Sequence, residues 1–105
     1  MAVNQLIVPT TAAATSVAFT PSGKNNVGLC CNSLLTTETM TLQVYDSAND
    51  VWANAISSSS TFQMTATTNF MSIYSDTNTY RIVKSVTANP VGLNCNSDIT
   101  LNNQI

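Results

Sequence analysis

Trp52 follows the acidic turn Asp46-Ser47-Ala48-Asn49-Asp50 one residue on, after Val51, and Tyr45 directly precedes it. An exposed aromatic ring flanked by Asp and Asn can stack a sugar while the polar neighbours bind its hydroxyls. Trp52, Tyr45 and Tyr74 are the residues fit for that use, and equally for gripping another protein. Tyr45 and Tyr74 both fall opposite the apolar face of their segments, which makes them contact-surface candidates. Trp52 has a second reading, as a ring that packs in the core or seals its edge.

Other chemistry is thinly represented. The Asp46–Asp50 turn is no calcium loop. Ala48 stands at its third position, Val51 replaces the glycine required at the sixth, and no Glu closes the twelfth. Serine is abundant, but the chain has no histidine to activate it and no Gly-x-Ser-x-Gly elbow. Nothing favours a serine–lysine pairing with Lys24 or Lys84. Glu38 with an Asp would make a glycosidase pair, yet such sparse carboxylates at turn positions read as solvated loop residues. The expectation is therefore no enzyme, no cofactor and no metal. Cys30, Cys31 and Cys95 allow at most one internal bridge. Buried thiols, a bridge from Cys95 to one of the adjacent pair, and a metal site all stay open, the last starved of ligands by the missing histidine.

Only 8 of 105 residues are charged, with a net charge of −2, against about 25% in ordinary domains. Polarity comes from hydroxyls and amides: 16 Thr, 12 Ser and 13 Asn. Three scattered basic residues cannot make the cluster that nucleic acid or an anionic membrane requires. A near-neutral surface gives little repulsion between copies and so suits close contact with other protein. Met1–Pro9 has no positive leader region, and no segment has the ~18–20 apolar residues of a membrane span. The chain is expected to be made in the cytoplasm and not exported by the usual route. No Asn-x-Ser/Thr sequon occurs among the 13 Asn, which speaks against a glycosylated ectodomain.

The elements that must position these residues are strands. Thr, Val, Ile, Tyr and Phe dominate between the turn signals, and side chains alternate. Met40, Leu42 and Val44 oppose Thr41, Gln43 and Tyr45. Phe62, Met64 and Ala66 oppose Thr61, Gln63 and Thr65. Val17 pairs with Phe19, and Val27 with Leu29 and Cys31. In 79–86, alternation puts Lys84 on the side of Tyr80, Ile82 and Val86, which leaves open which side of that strand is apolar. Breaks fall at Pro21-Ser22-Gly23, Asp46–Asp50, Ser57–Ser60, Asp76-Thr77-Asn78 and Asn89-Pro90. Evenly spaced short strands predict an all-β fold, a single antiparallel sandwich. Residues 12–105 form that domain. Residues 1–11 read as an extended N-terminal arm whose Val3, Leu6, Ile7 and Val8 could add a strand to a neighbour's sheet edge.

Residues 36–93 resemble a pattern in small structural proteins of tailed bacteriophages. The segments that carry it are Thr39–Asp46, Val51-Trp52, Phe62–Thr67, Phe70–Tyr74, Thr79–Ser85 and Pro90–Leu93. The chain departs from the pattern in having Asn78-Thr79, not glycine, before Tyr80, and in its cysteine pair. The resemblance implies an immunoglobulin-like sandwich on the virion, a capsid cement (decoration) protein bound to the major capsid protein at the head surface, and a homotrimer. A tail, neck or fibre module and a carbohydrate-binding sandwich are the alternatives.

Overall fold

Strands of alternating polarity cannot bury their apolar sides alone, so they collect into sheets that share a core. The computed structural model describes residues 4–21, 27–32, 34–57, 60–73, 78–95 and 99–102, and these form an antiparallel β-sandwich. The strands are β1 (Asn4–Thr10), β2 (Ala14–Thr15), β3 (Ala18–Pro21), β4 (Val27–Cys31), β5 (Met40–Asp46), β6 (Val51–Asn54), β7 (Ile56–Ser57), β8 (Ser60–Thr61), β9 (Gln63–Met64), β10 (Phe70–Ile73), β11 (Tyr80–Lys84), β12 (Val91–Cys95) and β13 (Ile99–Asn102). The first sheet has the order β1-β12-β4-β10. The second runs β13-β3-β11-β5-β6, with β2 also paired to β11 and β9 to β5. β7 and β8 make a small hairpin between β6 and β9.

The core lies between the sheets. Leu29, Val27, Val91, Leu93 and Cys95 from the first sheet and Phe19, Met40, Leu42, Met64 and Ile82 from the second are almost wholly buried. The alternation in β5 and β4 holds: Met40 and Leu42 point in, as do Val27, Leu29 and Cys31, while Gln43 and Tyr45 lie on the outer side. In β11 the inward side is that of Ile82 and Lys84. Ala66 breaks the expected run, because Thr65 and Thr68 bond each other and turn the chain out of the sheet.

Ser16 shows how one hydroxyl repairs a strand. Val83 faces Thr15 and Tyr80 faces Phe19, so β2 and β3 carry one more residue than β11 opposite them. Ser16 fills the gap. Its Oγ accepts from Ile82 N (2.9 Å) and donates to Val17 O (3.0 Å), which satisfies a buried amide that the ladder misses.

The expected N-terminal arm is corrected over residues 4–10. β1 is an edge strand of the first sheet, paired with β12, and Leu6 and Ile7 belong to the core. The run Leu6-Ile7-Val8 lacks alternation because the register shifts between Gln5 and Ile7 and again between Ile7 and Thr10. A bulge adds an unpaired residue and turns successive side chains to the same face. Val8 and Pro9 remain exposed, and a proline at an edge blocks further strand addition. β1 lies so close to β12 that a Cβ on Gly92 would stand 2.8 Å from Ile7 O and 3.0 Å from the Pro9 ring.

None of the three cysteines is bridged. Cys30 and Cys31 face opposite sides of β4. Burial, then the neighbouring Cys30, pushes the Cys31 thiol up to about 11, and its Sγ lies 3.9 Å from Met64 Sδ. It behaves as a small apolar side chain.

Candidate binding surface

Two groupings of polar side chains stand out, and their geometry separates a structural role from a binding one. The first is buried. Residues 10–14, 34–39 and 85–90 lead from one sheet to the other at one end of the sandwich. Lys84 at the end of β11 is 1% exposed. Its ammonium donates to Ala12 O (2.8 Å), Ser85 O (3.0 Å) and Thr87 Oγ1 (3.0 Å). Thr87 Oγ1 in turn lies 2.7 Å from Asn89 O, and Thr87 N donates to Thr11 O. Glu38 accepts from Leu35 N (2.8 Å) and Ala88 N (2.7 Å). Thr39 and Ser85 exchange two further bonds. Three crossovers are thereby clasped together.

Burial lowers the proton affinity of Lys84, and Glu38 opposes that shift. The backbone amides of Leu35 and Ala88, then the charge of Lys84, hold Glu38 below the usual carboxylate range against the effect of burial. An ammonium has three N–H donors, and all three here have partners. Lys84 and Glu38 are spent on the fold, so neither is placed as an acid, base or nucleophile.

The second grouping is on the outer side of the second sheet. The β5–β6 hairpin fixes it. Asp46 faces Val51 and Tyr45 faces Trp52, so the four-residue turn stacks the two rings side by side. Asp46 shapes the turn by accepting from Ala48 N (3.1 Å) and from Asn49 Nδ2 (2.8 Å), and the Asn49 bonds lead in holding its carboxyl low. Asp50 closes the turn with φ of 54°, a left-handed conformation that Asp tolerates. It thereby accepts from Tyr45 Oη at 2.6 Å, and that bond raises the phenol's pKa.

The rings of Tyr45 and Trp52 are 5.1 Å apart and tilted by 48°. From β11, two strands away, Arg81 reaches over β5 and sets its guanidinium carbon 4.4 Å from the Trp52 ring centre. Arg81 Nε donates to Gln43 Oε1 (2.7 Å), and Gln43 Nε2 donates to Asn54 Oδ1 (3.1 Å). The result is a pre-set patch of two rings, a cation and two amides that extends onto β6, an edge strand of its sheet. Half-exposed pairings of this kind contribute about 0.5–1 kcal/mol for the cation–ring contact and about 0.5–1.5 kcal/mol for the ring pair. They fix geometry more than they stabilise the fold.

The structure thus brings together Tyr45 and Trp52 of the residues expected to bind a partner. Val8 is 69% exposed but lies in the other sheet. Leu6 and Ile7 are core residues, unavailable to a partner. Val3 and Tyr74 lie outside the described residues. Sequence reading missed Arg81, Gln43, Asn54 and Asp50 as members of the patch. The usable signal was register: a turn spanning 47–50 forces Tyr45 opposite Trp52, and alternation places Gln43 on the face of Tyr45, whereas Arg81 is set beside Gln43 by the pairing of β11 with β5. Among the described residues, no three Cys, Asp or Glu side chains converge to hold a metal ion, and no helix is long and apolar enough to cross a membrane. No protein-family model, curated protein or solved structure matches the chain.

Proposed function

We propose that the protein is a virion structural component, a capsid cement (decoration) protein that binds the major capsid protein on the assembled phage head. The observation that carries this reading is the Tyr45–Trp52–Arg81 cluster at the outer strand of the second sheet. Tyr, Trp and Arg are the side chains most enriched where protein contacts concentrate their energy. The resemblance over residues 36–93, an immunoglobulin-like reading of the sandwich and the sparse charge support it. Binding would be mechanical in effect. A protein that binds only the assembled shell stabilises it by mass action.

The test is to heat purified shells with and without the protein. Raised rupture temperature with the native chain, and loss of the effect with Trp52→Ala, is expected. Equal rupture temperatures would refute cementing. A tail, neck or fibre role is distinguished by copy number, since cement is as abundant as the shell subunit.

The paired rings beside Gln43 and Asn54 also favour a second reading, a carbohydrate-binding sandwich. Arg81 argues against it, because its guanidinium occupies a face of Trp52 that a sugar would need. Binding on a glycan array that is lost in Trp52→Ala would establish the second reading.

A further inference from the structure

The first sheet ends differently on its two sides. Its β1 edge carries two register shifts and Pro9, the devices that keep an edge from pairing with another chain. Its β10 edge carries none. Phe70–Ile73 pairs with β4 in unbroken register, and among the described residues no strand pairs its other side. It contains no proline and no charge, and Phe70 is 50% exposed. β1, β12, β4 and β10 together contain no Asp, Glu, Lys or Arg.

The hydrogen-bond phase of that edge is fixed. Cys31 N donates to Asn69 O, so Phe70 and Cys30 are a pair without mutual bonds, and Met71–Leu29 and Ile73–Val27 are the bonded pairs. The N–H and C=O of Phe70 and Ser72 therefore point away from β4. We infer that β10 pairs with β10 of a second copy, antiparallel about a two-fold axis through Met71. That register places Phe70 opposite Ser72 of the other copy, twice, and each such pair exchanges two backbone bonds. Outward side chains stay outward, with Phe70 over the small Ser72, and Met71 meets Met71. Two identical uncharged edges bring no like charges together. The occupant is a second copy because antiparallel pairing of one strand with itself satisfies two-fold symmetry, whereas the trimer implied by the family resemblance requires a different, head-to-tail contact. The inference is independent of the proposed function.

The test is sedimentation of the full chain over a concentration series, with amide hydrogen exchange at its two ends. A monomer–dimer equilibrium with Kd of about 1 mM or tighter is expected. Exchange at Phe70 and Ser72 should slow with concentration, while Met71 and Ile73, already bonded to β4, should not change. Ser72→Pro removes a donor that the monomer does not use and should weaken the dimer about tenfold or more. Phe70→Lys, at an exposed position, should do the same if the proline variant fails to fold. A chain that stays monomeric, forms trimers, or dimerises without protecting Phe70 and Ser72 overturns the inference.

Discussion

Replacing Lys84 by Met isolates what the buried clasp contributes. The substitution keeps most of the aliphatic stem and deletes the ammonium. Three oxygens, of Ala12, Ser85 and Thr87, then lose a charged donor at 2.8–3.0 Å. Leaving a buried acceptor unmade costs about 1–3 kcal/mol, and Glu38 loses the favourable charge of Lys84. Relief of the buried ammonium's desolvation offsets part of this. Removing one member of a buried charged set costs about 3–5 kcal/mol, and that is the expected loss. At roughly 5 °C per kcal/mol for a domain of this size, the midpoint should fall by about 15–25 °C. Urea denaturation at neutral pH reads the loss directly. Thr87→Val in the same background should couple to it, because the two side chains share a bond and a non-additive pair is the mark of direct contact. A Lys84→Met protein as stable as the native one would refute the reasoning, since the oxygens would then be satisfied without the ammonium.

Ser16→Ala should cost about 1–3 kcal/mol by stranding the buried Ile82 amide, measured by the same denaturation; a neutral result would mean the strand closes its own gap. Gly92→Ala forces a methyl group against Ile7 O, and should detach β1 from β12, seen as faster amide exchange over residues 4–10 with β4 and β11 unaffected. The acid limb of stability follows from Glu38. Its folded pKa is depressed, so its contribution is full above the ordinary carboxylate pKa and fades as pH falls through the folded value. Unfolding measured from pH 7 down to pH 3 should show stability dropping below about pH 4.5, with a shallower drop in Glu38→Gln.

Much of the sandwich was legible because strand polarity has a fixed period. Met40, Leu42, Gln43 and Tyr45 each face where alternation sends them. What was not legible arises from irregularity or distance. The arm expectation failed over residues 4–10 because a bulge leaves no mark in composition: Leu6-Ile7-Val8 reads the same whether the strand is detached or kinked onto β12. Lys84 was visible as an oddity on an apolar side, but its acceptor at Ala12 lies 72 residues away and no local pattern points to it. At the patch, the aromatic pair could be found from the turn, whereas Arg81 joined it only once β11 was known to lie beside β5.

The place of the single indole has a practical meaning. Trp52 is the chain's one tryptophan, and it lies under a guanidinium and beside a phenol at the surface. Its emission therefore reports from that patch alone. Whatever docks there must shift the guanidinium or shield the ring, and either event changes the colour or yield of the light without any label being attached.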